Sequence, residues 1–295
     1  TLASIEFLST NEDDTYSTHP TKSKRLAAIK KGYNNETYSY QNTEAQKAEM
    51  FIYSGLSKYI QNDYEGALTD FNEAIGLIPN VPGVIFFARG TTKYDLKDYY
   101  GAIADFTKSI ALDPNVADAY YNRGFIKANF KDYKEALADF TKAIEIDPNL
   151  AVAYNNRGIV KRKLKDYKGA TADYTKAIEI NPNDDVAYYN RGLSNAELED
   201  YSGAILDYTK AIEVNTNYAK AYFNRGNLRV KFENYKGAIA DYTKSIEINP
   251  NKAESYHNRG LSKYFSDDYN GACKDARKTQ ELGFDASELI KMVCK

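Results

Sequence analysis

Residues 117–150 read ADAYYNRGFIKANFKDYKEALADFTKAIEIDPNL, and residues 151–184 repeat the theme as AVAYNNRGIVKRKLKDYKGATADYTKAIEINPND. Set one under the other, they agree at the aromatic of position four and the Asn-Arg-Gly of positions six to eight. They agree again at the Asp-Tyr of sixteen and seventeen, the Ala of twenty, the Asp of twenty-three and the Pro of thirty-two. A fixed period of 34 residues marks a stacked-repeat architecture rather than a single globular core. Working outward, the glycine of position eight recurs at Gly90, Gly124, Gly158, Gly192, Gly226 and Gly260, and at Gly55 after one extra residue near Pro82. Seven units therefore start at Ala48, Gly83, Ala117, Ala151, Asp185, Ala219 and Ala253.

Other columns fall into the same register. Position seventeen is Tyr from Tyr64 to Tyr269, and position twenty is Ala from Ala67 to Ala272. Position twenty-four is aromatic from Phe71 to Tyr242 and becomes Ala276 in the last unit. Pro79, Pro114, Pro148, Pro182 and Pro250 close five units, whereas the fifth has Thr216. Positions four, seven, eight and eleven share one helical stripe, and twenty, twenty-four and twenty-seven share another. Two helices per unit follow, with a turn at the Asp-Tyr pair. A glycine inside a helix costs about 1 kcal/mol against Ala, so its recurrence marks a place where a side chain does not fit. The closing Pro ends the second helix.

The alanine, aromatic and proline columns resemble those of the tetratricopeptide repeat family over about four-fifths of the chain. The resemblance implies an all-α fold, a right-handed superhelical solenoid of stacked antiparallel helix pairs. In that family the first helix of each pair lines a concave groove that takes an extended peptide or a partner helix. This implies a protein–protein interaction scaffold, not an enzyme, with a protein or peptide ligand and no cofactor or metal. The domain organisation expected is an extension over 1–47, the seven repeats over 48–286 and a C-terminal capping helix over 287–295.

Two columns depart from the family pattern. Position seven, usually Leu there, is Arg in six units: Arg89, Arg123, Arg157, Arg191, Arg225 and Arg259. Position twenty-three is Asp in all seven, from Asp70 to Asp275. The stripes bring seven and twenty-three together, so an Arg–Asp bridge is expected inside each Arg-bearing pair, Arg157–Asp173 among them. Position eleven is Lys or Arg except at Asn195; its stem can pack while its head reaches solvent or the Asp.

A ligand in the groove would meet the first helices. Position six supplies an amide ladder of Asn122, Asn156, Asn190, Asn224 and Asn258, and position five a row of Tyr121, Asn155, Tyr189, Phe223 and His257. Amides in a row can bond the backbone of an extended peptide whatever its sequence; equally, each can bond a neighbouring helix. Asn227 and a basic cluster of Arg162, Lys163, Lys220 and Lys231 complete the expected groove, the cluster suiting an acidic segment. Relatives that grip chaperone tails carry a two-carboxylate clamp of Lys, Asn and Arg over three units. No consecutive triplet here holds that set beyond the middle Asn, which disfavours such a ligand.

The formal net charge of −2 excludes the concentrated basic face that nucleic acid requires. No apolar run approaches the roughly 18 residues that span a bilayer, so membrane insertion is not expected. Residues 17–29, STHPTKSKRLAAI, resemble the C-terminal end of the HtpX and CAAX-protease group of zinc metallopeptidases. That likeness implies a second reading, the substrate-recruiting or regulatory tail of a peptidase lying upstream, in a chain whose first residue is not Met. It would place the protein outside the cytoplasm, otherwise the default compartment. The histidine pair and glutamate of a zinc-protease helix are absent, and with only His19 and His257 this chain supports no zinc catalysis. Self-association is a third reading. Asp285-Ala-Ser-Glu288 has capping-box spacing and starts the final helix, whose Leu289, Ile290 and Val293 would cover the last repeat. Cys273 and Cys294 would meet there, as buried free thiols unless the compartment is oxidising.

Overall fold

A computed structural model describes residues 43–294. Its fifteen helices are α1 (Thr43–Ile60), α2 (Tyr64–Leu77), α3 (Gly83–Asp95), α4 (Tyr99–Leu112), α5 (Ala117–Asn129), α6 (Tyr133–Ile146) and α7 (Ala151–Lys163), followed by α8 (Tyr167–Ile180), α9 (Asp185–Glu197), α10 (Tyr201–Val214), α11 (Ala219–Lys231), α12 (Tyr235–Ile248), α13 (Ala253–Tyr264), α14 (Tyr269–Glu281) and α15 (Ser287–Val293). Among the described residues there is no strand, and no helix is long and apolar enough to cross a membrane. The peptidase-like stretch around His19 lies outside the described residues.

The chain divides into two compact units at residue 165. In the first, the hairpins α1–α2, α3–α4 and α5–α6 pack in series and α7 packs on α6. In the second, α8 packs on α9, the hairpins α9–α10, α11–α12 and α13–α14 follow in series, and α15 lies on α14 and α13. Each unit is a solenoid of antiparallel helix pairs, as the 34-residue period requires.

The hairpin turns share one conformation. Position fifteen is left-handed throughout, at Asn62, Lys97, Lys131, Lys165, Glu199, Glu233 and Asp267, with φ between 56° and 67°. The next residue caps the second helix: Asp63, Asp98, Asp166, Asp200, Asn234 and Asp268 accept from the backbone N–H three residues on, at 2.8–3.0 Å. That third residue is Gly every time, and a Cβ added to Gly101 would fall 2.0 Å from Asp98 Oδ2. Glu135 replaces the glycine in the third repeat, and there Asp132 makes no capping bond.

The position-eight glycines Gly55, Gly90, Gly124, Gly192 and Gly226 face the position-twenty-four ring of their own hairpin. A Cβ on Gly192 would lie 2.7 Å from Tyr208 Cε1, and one on Gly226 would lie 2.8 Å from Tyr242 Cε1. The second-helix alanines Ala67, Ala102, Ala136, Ala204, Ala238 and Ala272 are wholly buried. Close helix approach, with rings filling the remainder, is the packing solution repeated along both units.

Two terminal expectations change. Asp285 bonds the N–H of Ser287 at 2.9 Å, a turn two residues long, so the capping box does not form; Ala286 is the N-cap and offers no side-chain bond. Cys273 and Cys294 are joined as a disulfide rather than left as thiols.

Candidate functional site

The Arg of position seven organises the side of each first helix that meets its partner. Nε and Nη2 donate to both carboxylate oxygens of position twenty-three in the pairs Arg89–Asp105, Arg123–Asp139, Arg191–Asp207, Arg225–Asp241 and Arg259–Asp275. This two-pronged geometry matches the guanidinium fork to the carboxylate. A second cation from position eleven joins the same carboxylate at Asp105 (Lys93), Asp139 (Lys127), Asp241 (Arg229) and Asp275 (Lys263). Asp207 has Asn195 there instead, donating at 3.0 Å. Burial pushes the Asp207 carboxyl above the usual carboxylate range, against the bonds from Arg191. In the first repeat, where Ser54 stands for the Arg, Lys58 pairs with Asp70 at 2.8 Å.

Each Arg also leaves its own hairpin. Its Nη1 donates to position twenty-five of the preceding repeat: Arg89 to Asn72, then Arg123, Arg157, Arg191, Arg225 and Arg259 to Thr107, Thr141, Thr175, Thr209 and Thr243, at 2.9–3.2 Å. The guanidinium carbon sits 5.4–5.7 Å above the position-four ring of its own helix. Sequence reasoning passed over position twenty-five, although its column of five threonines was as regular as the Asp column.

The amide ladder and the aromatic row do not line an open surface. Tyr121, Asn122, Asn155, Asn156, Tyr189, Asn190, Phe223 and Asn258 are all buried, which corrects the expectation that they face a ligand. Position five packs on position twenty-four of its own hairpin, as in Tyr121–Phe140, Tyr189–Tyr208 and Phe223–Tyr242, with ring centroids 5.8 Å apart. Position six of the following repeat then bonds the ring hydroxyl: Asn156 Nδ2 donates to Tyr121 at 2.7 Å and Asn224 Nδ2 to Tyr189 at 3.0 Å. Of the two readings of the ladder, the local one accounts for these amides. Asn122 has no such partner. The residue one repeat back is Phe87, which lacks the hydroxyl, and both amide atoms of Asn122 are buried without a bond.

The rest of the expected set divides between the units. Arg162 and Lys163 lie on α7, half-buried and exposed respectively. Lys220, Asn224, Asn227 and Lys231 form one stripe along α11, spaced four, three and four residues apart, and all four keep solvent access. Lys231 Nζ lies 3.7 Å over the Tyr201 ring. Asn227 is held at its acceptor end: Oδ1 receives Tyr242 Oη at 2.8 Å and Asn258 Nδ2 at 2.9 Å. Two donors on one oxygen fix which way the amide points, so Nδ2 is turned away, with no partner among the described residues. His257, beside Asn258, is half-buried with its ring 5.4 Å from Phe284, and burial lowers its pKa below the usual histidine value.

A hollow of about 740 Å³ opens on another side of α11, lined by Thr216, Asn217, Tyr222, Lys244, Glu247 and Ile248. It lies where the fifth repeat lacks its closing Pro. Lys244 and Glu247, three residues apart on α12, pair with each other at 2.6 Å, leaving no net charge to draw a ligand. No group of three or more metal-ligating side chains occurs among the described residues.

Models of the tetratricopeptide repeat match residues 117–150, 151–184 and 219–252, with two related repeat models over 90–129 and 195–231 and over 173–205. The matches run unbroken from 90 to 252, more than half of the 295 residues. None of the curated proteins matches the chain in sequence. Among solved structures, a tetratricopeptide repeat protein from Parabacteroides merdae is 20% identical, with a TM-score of 0.61 over 85% of this chain and 100% of that one. YrrB, described as a TPR protein with an unusual peptide-binding site, is 24% identical, with a TM-score of 0.56 over 63% of this chain and 96% of its own. MamA is 25% identical, with a TM-score of 0.53 over 56% and 91%. Likeness at these identities establishes the helical-pair fold.

Proposed function

Because the chain belongs to the tetratricopeptide-repeat family, we propose that it is a scaffold that holds another polypeptide, and that α11 carries the principal contact. The observation that supports this is the Asn227 amide. Its acceptor side is tied down by Tyr242 and Asn258, and its donor side faces out of the packing. An N–H held in a fixed direction loses little freedom on binding, the property that makes a preorganised contact effective. Lys220 and Lys231 flank it along one stripe and favour a segment bearing carboxylates. The buried part of the amide ladder serves this surface indirectly by fixing the first helices against one another.

Asn227→Asp tests the reading. Aspartate keeps an oxygen for Tyr242 and Asn258 but offers an acceptor where the amide had a donor. Acidic peptides selected from a displayed random library on the native chain should bind the variant at least about tenfold more weakly, a loss of about 1.4 kcal/mol. The melting temperature should stay close to that of the native chain. Undiminished binding to a folded variant would refute the assignment of α11.

A further inference from the structure

We propose that the Cys273–Cys294 disulfide is a redox latch that holds the C-terminal helix as a plug in the last repeat. The last repeat has Ala276 where the others carry a ring, so its glycine lacks the usual filling. Leu289 of α15 supplies it: a Cβ on Gly260 would lie 3.3 Å from Leu289 Cδ2, in the space that Tyr208 and Tyr242 occupy against Gly192 and Gly226. Leu289 and Val293 are almost wholly buried, and with Leu261, Ala272 and Ala276 they form a separate apolar cluster.

The plug is short. α15 has seven residues, too few for a helix to persist without tertiary support. It follows Gly283, whose φ of +84° sets the turn and whose α-carbon has open space where a side chain would stand. Its one ion pair, Lys291 with Glu288, is exposed and internal to the helix. Besides the apolar contacts, the disulfide from Cys294 to Cys273 on α14 is what ties its far end down.

Both cysteines are partly accessible, so a dithiol reductant can reach them. Its thiolate attacks one sulfur, breaking the protein S–S bond and forming a mixed disulfide, and its second thiol then displaces that bond to close the reductant's own disulfide. Two electrons and two protons pass to the chain, leaving Cys273 and Cys294 as thiols. α15 is then free to lift about Gly283, uncovering Gly260, Leu261 and Ala276.

The test is amide hydrogen exchange on the full chain, air-oxidised and after dithiothreitol, with the Cys273→Ser/Cys294→Ser chain alongside. Reduction should speed exchange over 284–294 by about tenfold or more and loosen the α13 amides near Leu261, leaving α11 unchanged. The double-serine chain should exchange like the reduced protein whether or not dithiothreitol is present. Equal exchange before and after reduction would overturn the latch. So would a dithiothreitol effect that persists in the double-serine chain, or two free thiols in the air-oxidised protein.

Discussion

Asp207 differs from its counterparts in one neighbour. Among the described residues Arg191 is the one cation paired with it, as Lys58 is with Asp70, whereas Asp275 has both Arg259 and Lys263. Arg191→Ala therefore leaves a buried carboxylate with Asn195 alone and should cost about 3–5 kcal/mol at neutral pH in denaturant unfolding. Arg259→Ala, with Lys263 still in place, should cost clearly less. The pH dependence has a definite sign. Because burial raises the folded pKa of Asp207, the stability it contributes is present below the ordinary carboxylate value and is lost as pH rises through the raised one. Removing Arg191 raises that pKa further, so the penalty of Arg191→Ala should shrink as the pH falls toward about 4. Phe87 offers the complementary test. Phe87→Tyr places a hydroxyl where Tyr121 and Tyr189 bond the next repeat, and Asn122 awaits one. A gain of about 1 kcal/mol in unfolding free energy is expected, and a lower melting temperature would show that the ring site has no room. The Arg and Asp columns were legible from spacing alone. The state of the amide ladder was not, because helical periodicity says which residues share a face, not whether the next repeat covers that face.

At the scale of the element, the turn between paired helices holds non-glycine residues in the left-handed region at every repeat. Lys131, at φ 66°, is exposed and engaged through its backbone, so glycine can replace it without loss of side-chain contacts. Lys131→Gly should raise stability by about 1 kcal/mol, read as a shift in unfolding midpoint at unchanged slope. Helix starts were readable from the Asp-Tyr turns because an N-cap carboxylate has a local partner. The failure of the capping box at Asp285 has a local cause as well: the bond closes on Ser287, one residue early. Spacing identifies candidates for a cap; backbone angles choose among them.

At the scale of the molecule, the period alone specified stacked helix pairs, since neither helix of a pair can bury its apolar stripe without the next. What it left open was which stretch of the first-helix row keeps solvent access. Rings at position five close that row wherever they meet a ring at position twenty-four, and α11 opens at Lys220, Asn227 and Lys231, where polar side chains stand in the stripe. That Cys273 and Cys294 meet was readable from the apolar side of the final helix, but the bond between them was not, because the proximity of two thiols does not say whether the compartment oxidises them. The central claim, that a polypeptide docks on α11, is tested most directly by a residue-level footprint. Side-chain amide resonances of the isotopically labelled chain should be followed as a selected acidic peptide is added. The account requires the Asn227 and Asn224 amide signals to shift first and furthest; shifts confined to Asn217 beside the Thr216 hollow, with Asn227 unmoved, would contradict it.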